Sequence, residues 1–103
     1  MTAKQLWYRR IVLILLLLLT LVVLGFLANE AHNEVYYLCG NFTPGVPYAS
    51  VIEQLDTSNL SDYTIEQLDH GKRITHSSAL NLHLFQCKIE IADNGLVTSA
   101  TYQ

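Results

Sequence analysis

The first feature of the chain is a run of almost entirely apolar residues from Ile11 to Ala28, in which fifteen positions are Leu, Ile, Val or Phe. At roughly −0.3 to −0.6 kcal/mol for each of these side chains, the run favours membrane insertion by about 5 to 9 kcal/mol. Eighteen helical residues extend about 27 Å, close to the ~30 Å thickness of the hydrocarbon core. The pattern therefore predicts one transmembrane helix over residues 11–28.

The residues before this run indicate its orientation. Lys4, Arg9 and Arg10 precede it, whereas the next basic residue is Lys72. The positive-inside rule therefore predicts a cytoplasmic N-terminus and an exported C-terminal part, in a single-pass protein of the cell inner membrane. A membrane-interface group is expected just before the span, where aromatic rings suit the headgroup level: Trp7, Tyr8, Arg9 and Arg10.

A cleaved signal peptide is the alternative interpretation of the run. Its apolar core would be about 7 to 15 residues long, which is shorter than the run observed. The sequence from Gly25 to Ala31 also lacks a good small-x-small cleavage site. We therefore divide the chain into a cytoplasmic N-terminus (1–10), a transmembrane helix (11–28), a linker (29–45) and a small exported α+β domain (46–103).

Helical signals continue beyond the span. Residues 29–39 contain no strong turn residue, so the helix is expected to run on out of the membrane for a turn or two. The segment 40–45 breaks it with two glycines and a proline. Apolar residues then recur at helical spacing and predict a short amphipathic helix over about 46–55; they are Tyr48, Val51, Ile52 and Leu55.

From Leu60 onward the apolar period changes to two, which is typical of a half-exposed strand. The turn sequence Asp-His-Gly-Lys at 69–72 predicts a hairpin between strands at 60–68 and 73–78. The second of these strands is polar, so we expect it at an edge of the sheet.

The next strand is expected to be long. Leu80, Leu82 and Leu84 share one face, whereas Phe85 and the apolar residues after it share the other face. A strand changes face only with an extra residue, so we expect either a bulge near Leu84 and Phe85 or a strand that serves two surfaces.

A final hairpin completes the predicted fold. The turn sequence Asp-Asn-Gly at 93–95 leads to a last strand at 96–102. The fold class is therefore α+β, with a short helix and about four antiparallel strands after the transmembrane helix.

Composition limits the partners of the exported part. Residues 29–103 carry three basic residues and all nine acidic residues of the chain, a net charge of −6, whereas the whole chain has −3. Such a surface is expected to avoid nucleic acid and anionic headgroups. The segment is long enough for only one small domain.

The two cysteines are expected to form a disulfide. Cys39 and Cys87 both lie in the part predicted to be exported, where the compartment is oxidising. Two free buried thiols are the alternative. A metal site is disfavoured because the cysteines form no Cys-x-x-Cys pair and no histidine lies at ligand spacing from either.

No catalytic, cofactor-binding or metal-binding group is expected from the sequence. His76 and Ser77 are adjacent on a predicted strand and would point to opposite faces. No histidine pair has the i, i+4 spacing of a helical metal site, and no haem signature is present. We therefore expect the histidines at exposed polar positions and the protein to be no enzyme.

Two stretches resemble a known family. The segment 42–55 (FTPGVPYASVIEQL) is similar to the first helix, and the segment 87–97 (CKIEIADNGLV) to a hairpin, of the small periplasmic SmpA/OmlA (BamE-like) domains. The resemblance implies a small α+β module that stabilises envelope assemblies through protein contacts, without catalysis. The chain departs from the family in having an apolar helix instead of a lipidated cysteine, and Asp-Thr-Ser at 56–58 instead of glycine-proline.

These observations favour a non-enzymatic accessory or scaffold subunit of an inner-membrane or envelope-spanning complex. Its partners would be the lipid bilayer and a larger membrane or envelope protein, which would contact the exported domain. The alternative is a membrane-anchored sensor or inhibitor domain for a small ligand. A sensor should have a concave apolar pocket, whereas a subunit should have an exposed apolar patch or an open strand edge.

Overall fold

A computed structural model describes residues 2–103 and confirms the α+β class. Its elements are helix α1 (Ala3–Asn41), helix α2 (Tyr48–Leu55), strand β1 (Asp62–Gln67), strand β2 (Lys72–Ser77), a 3₁₀ turn (Ala79–Asn81), strand β3 (Gln86–Ile91) and strand β4 (Val97–Tyr102).

Helix α1 is one continuous helix of 39 residues. It begins at a capping box, in which the Thr2 hydroxyl accepts from the Gln5 N–H and the Gln5 side chain accepts from the Thr2 N–H. The prediction that the helix continues beyond Ala28 is confirmed, but the extension is longer than expected. It ends only at Asn41, so most of the segment 29–45 is helical, because nothing before Gly40 breaks the helix.

The four strands form one antiparallel sheet in the order β1-β2-β3-β4. Both predicted hairpins are present, with Gly71 and Gly95 at positive φ in their turns. The prediction that the second strand lies at an edge is wrong, because β2 pairs with both β1 and β3. Its inward residues Ile74 and His76 are fully buried, and the polar residues Arg73, Thr75 and Ser77 lie on the opposite face.

The predicted long third strand is also wrong. Residues 79–81 form a 3₁₀ turn, Leu82 and His83 adopt positive φ values of 55° and 57°, and β3 begins only at Gln86. There is consequently no bulge at Leu84 and Phe85. The alternate spacing of the leucines is typical of a strand, but hydrogen bonds to Ser78 fold the local backbone into a loop.

The core lies between one face of the sheet and the two helices. Sheet residues in it include Ile74, Cys87, Ile89, Ile91 and Val97, and helix-side residues include Val35, Cys39, Phe42, Val51 and Leu55. On the opposite face of the sheet Arg73 bridges its two neighbouring strands, with Nε 2.7 Å from Glu90 and a terminal nitrogen 3.7 Å from Glu66. The sheet is therefore apolar on one face and polar on the other.

Contacts with α1 establish the direction of β3. The His32 ring lies 4.5 Å, centroid to centroid, from the Phe85 ring, just before β3 begins. Farther along α1, Cys39 is bonded to Cys87 inside β3. Strand β3 therefore has the same direction as α1 and leads away from the apolar segment of the helix.

The antiparallel order then divides the sheet into two ends. We call proximal the end nearest the apolar run, where β1 and β3 begin and β2 and β4 end. The Glu34 carboxylate of α1 accepts hydrogen bonds from the Asn59 and Leu60 N–H groups at 2.6 and 3.1 Å, just before β1. The turns at 68–71 and 92–95 lie at the opposite, distal end.

The glycine turns offer a matched pair of substitutions at the distal end. Gly71 and Gly95 have φ values of 93° and 80°, so alanine is strained at either position. A Cβ at Gly71 would also overlap the Ile91 carbonyl, whereas a Cβ at Gly95 meets no atom. We expect Gly95→Ala to lower the free energy of unfolding by about 1 to 2 kcal/mol, and Gly71→Ala by about 1 to 3 kcal/mol more.

Denaturant unfolding of the full chain in detergent measures both values. Equal losses for Gly71→Ala and Gly95→Ala would contradict the close approach of the two hairpin turns.

Candidate functional site

The apolar part of α1 is uncovered by the rest of the chain. Every residue from Val12 to Phe26 is exposed. The most apolar 18-residue stretch of the helix has a mean hydropathy of 3.3 and contains no buried residue. The hydroxyl of Thr20, a polar side chain in this run, donates to the Leu16 carbonyl at 2.8 Å. The helix is long and apolar enough to cross a membrane.

The predicted membrane-interface residues all lie in α1, in the two turns before the apolar run. Trp7 and Tyr8 expose 64% and 63% of their surface, and Arg9 and Arg10 are exposed too. The folded domain therefore does not cover these four side chains.

The predicted disulfide between Cys39 and Cys87 is confirmed, with a Cα–Cα distance of 5.7 Å. It joins the last turn of α1 to β3 across a sequence separation of 48. Both cysteines are buried in the core. A loop of this length stabilises the folded state by about 4 kcal/mol on the chain-entropy account, which is large for a domain this small.

The four histidines lie in different places. His32 packs on Phe85, His70 lies 3.5 Å from Asp93 at the distal end, and His83 bonds to the Ser77 hydroxyl at 2.7 Å. As expected, Ser77 does not pair with its neighbour His76. Among residues 2–103 no three His, Cys, Asp or Glu side chains are grouped so as to hold a metal.

His76 differs from the expectation of an exposed histidine, because it is fully buried beneath the proximal end of the sheet. Its Nε2 is 2.7 Å from the Ser61 hydroxyl, and its Nδ1 has no hydrogen-bond partner in the described chain. Burial lowers the pKa of His76 below its usual 6.5, against a smaller opposing effect of the Glu34 and Asp62 carboxylates. The ring is therefore held neutral.

The Ser61–His76 pair has the atoms of a nucleophile and a base without the setting of a catalytic site. The serine exposes only 8% of its surface, and no carboxylate orients the free ring nitrogen. Sequence reasoning missed this pair, since the residues lie on different elements. The arrangement is that of a hydrogen bond within the core.

A second uncovered surface lies between the last turns of α1 and the outer edge of β4. We call it the tyrosine groove; it is a cleft of about 370 Å³ lined by Tyr36, Tyr37, Cys39, Gly40, Asn41, Ala100 and Tyr102. The rings of Tyr36 and Tyr102 meet edge to face at 5.2 Å. Tyr36 and Tyr37 nevertheless expose 52% and 68% of their surface.

A smaller cleft lies at the distal end of the sheet. It encloses about 220 Å³ beside Tyr48, Gly71 and Lys72, and the Lys72 ammonium lies 4.2 Å from the centre of the Tyr48 ring. Ligand pockets in proteins usually enclose about 300 to 1,000 Å³. The cleft is therefore small, and its cation is already engaged by the tyrosine.

Comparison with known proteins adds no relative: no protein-family model, no curated protein and no solved structure matches the chain. The resemblance of segments 42–55 and 87–97 to the SmpA/OmlA domains therefore stays a prediction that rests on those residues.

The buried neutral histidine makes stability depend on pH. Below about pH 6.5 the unfolded chain protonates His76, whereas the folded chain resists protonation because its pKa is lowered. The free energy of unfolding should therefore fall as the pH drops below 6.5, by at most about 1.4 kcal/mol per pH unit for this one group, and level off below the lowered pKa.

The measurement is the slope of unfolding free energy against pH between pH 7 and 5. His76→Gln should reduce the slope, and His70→Gln, at a position 89% exposed, should leave it unchanged. An unaltered slope in His76→Gln would contradict the assignment.

Proposed function

We propose that this protein is a single-pass membrane anchor for a small exported docking domain, and that it acts as a non-enzymatic accessory or scaffold subunit of an inner-membrane or envelope-spanning complex. The observation that carries the proposal is the tyrosine groove, an exposed aromatic cleft placed just beyond the end of the apolar run on the same helix.

The anchor is supported by the exposure of the apolar run. A surface helix of a soluble domain buries one apolar stripe, whereas residues 12–26 of α1 expose apolar side chains on every side. Covering such a helix requires lipid or another membrane helix, and either solution holds the protein in a bilayer.

Two independent features support the orientation. Positive charge near the span is confined to Lys4, Arg9 and Arg10 on its N-terminal side. The disulfide lies on the other side of the span, and such bonds persist in oxidising compartments rather than in the cytosol. Both features favour a cytoplasmic N-terminus and an exported domain.

Distance along the helix supports a protein partner for the tyrosine groove. Tyr36 lies eight residues beyond Ala28, or about 12 Å along the axis. The headgroup layer adds roughly 5 to 8 Å on each side of the hydrocarbon core. The groove would therefore lie above the lipid, where exposed tyrosines are typical of protein interfaces.

The open edge of β4 gives the groove a means of recognition. The start of β4 is covered by residues 45 and 46, which exchange hydrogen bonds of 2.9 Å with Val97. Farther along this edge strand, Ala100 and Tyr102 line the groove. An extended segment of a partner could pair with this edge while its side chains contact the tyrosines.

Topology can be tested with a reporter fused after Gln103. If the N-terminus is cytoplasmic, alkaline phosphatase at this position should be active, since it needs an oxidising compartment, and a cytoplasm-only reporter should be inactive. The reverse pattern would overturn the orientation. Fusions before Thr2 provide the complementary control.

Docking can be tested by photo-cross-linking in native membranes. A benzophenone amino acid in place of Tyr37 should cross-link to a protein partner in severalfold higher yield than the same group in place of Thr101, which is exposed on the opposite face of β4. Releasing residues 29–103 as a soluble exported fragment should reduce the yield, because anchoring raises the effective concentration of the domain near a membrane partner.

Equal yields from positions 37 and 101 would contradict the groove as the docking surface. Tight binding of a small molecule or turnover of a substrate by the purified chain would replace the accessory-subunit proposal with the sensor or enzyme alternative.

A further inference from the structure

The most exposed apolar side chains outside α1 lie in one short loop. We call residues 79–84 the leucine loop. Leu82 and Leu84 expose 79% and 71% of their surface, which is more than any side chain of the apolar run, where Val22 reaches 69%. An apolar group this exposed in a small, otherwise well-packed domain marks a contact with something outside the chain.

The fold holds the loop at the proximal end of the sheet. The loop connects the end of β2 to the start of β3, and its 3₁₀ turn packs against α1. Phe85, the residue after the loop, contacts His32, only four residues or about 6 Å beyond Ala28. Burial of α1 begins at about the same level, since Ala31 is fully buried whereas residues 12–26 are all exposed.

The backbone of the loop is suited to a medium poor in water. Each N–H group from residue 80 to residue 84 donates to an acceptor within residues 78–81. The acceptors are the Ser78 hydroxyl for Leu80, the Ser78 carbonyl for Asn81 and His83, the Ala79 carbonyl for Leu82 and the Asn81 carbonyl for Leu84. Most loops are excluded from lipid because their backbone polar groups are unpaired, whereas these five N–H groups are paired.

The distribution of charge also suits a medium poor in water. No Asp, Glu, Lys or Arg occurs between Arg73 and Lys88, although the exported part as a whole carries nine acidic residues. The loop can therefore enter the headgroup region without removing a formal charge from water.

We propose that the leucine loop inserts into the outer surface of the bilayer, so that the exported domain has a second lipid contact beside its transmembrane helix. The inference rests on the proposed membrane anchor. Leu82 and Leu84 would lie at the boundary of headgroups and acyl chains, a depth at which apolar groups of membrane-surface proteins are typically buried. The occupant of the surface is lipid, because His32, which packs on Phe85 beside the loop, lies only about 6 Å beyond Ala28, within the headgroup layer.

Spin-label accessibility in lipid nanodiscs tests this contact. The full chain is placed as one copy per phosphatidylcholine nanodisc, so that neither a second copy nor another protein can cover the loop. Single cysteines are introduced as Leu82→Cys in the loop, His70→Cys in the distal turn and Leu19→Cys within the span. The native cysteines are bonded to each other and do not react with the label.

Insertion predicts that the label at position 82 collides more often with oxygen, which concentrates in lipid, than with a water-soluble nickel complex. Its oxygen-to-nickel ratio should exceed that at position 70 at least threefold and approach that at position 19. Leu84→Cys should give the same result, which guards against a local effect of the αL conformation at position 82.

The reference positions separate the two proposals. A lipid-like label at position 19 with water-like labels at positions 82 and 84 would overturn the insertion of the loop and leave the anchor intact. A water-like label at position 19 would overturn both. Water-like labels at 82 and 84 in nanodiscs that become protected only in native membranes would assign the leucines to a protein partner instead of lipid.

Discussion

The structure depends on the contact between the last turns of α1 and the first residues of β3. Ala31, Val35 and Cys39 are buried at successive turns of the helix, and Cys39 is bonded to Cys87. Without this contact no packing would stabilise the helix beyond the apolar run, and one face of the sheet would lose much of its cover. The disulfide holds this contact covalently, in addition to the packing of the small core around it.

The Glu34 carboxylate extends the same contact toward β1. By accepting two N–H groups of the turn before β1, it holds the edge strand and the central strands at a common level on the helix. A buried histidine completes this end of the core, where His76 bonds to Ser61 across the first hairpin. The carboxylate of Glu34 and the disulfide of Cys39 thus lie within about two turns of one helix.

The sequence predicts those features whose causes lie in neighbouring residues. The apolar run, helix α2 and the two glycine turns each follow from spacing within a dozen positions, and the disulfide follows from there being only two cysteines. The predictions of an edge position for β2 and of a long strand after it are wrong, because the structure of this region depends on distant partners. Ser78 bonds to the Leu60 carbonyl as well as to its own loop. The tyrosine groove was missed for the same reason, since Tyr36 and Tyr102 meet only in the folded chain.

The continuity of α1 joins the folded domain rigidly to the apolar run. The helix contains no proline and has no break between Ala3 and Asn41, so one uninterrupted helix connects the run to the sheet. One residue inserted between the span and Ala31 would move the domain by only about 1.5 Å but turn it by about 100° around the helix axis. With the run in a bilayer, as proposed above, the direction in which the domain presents its tyrosines is therefore set by the rotation of the membrane-spanning helix about its own axis.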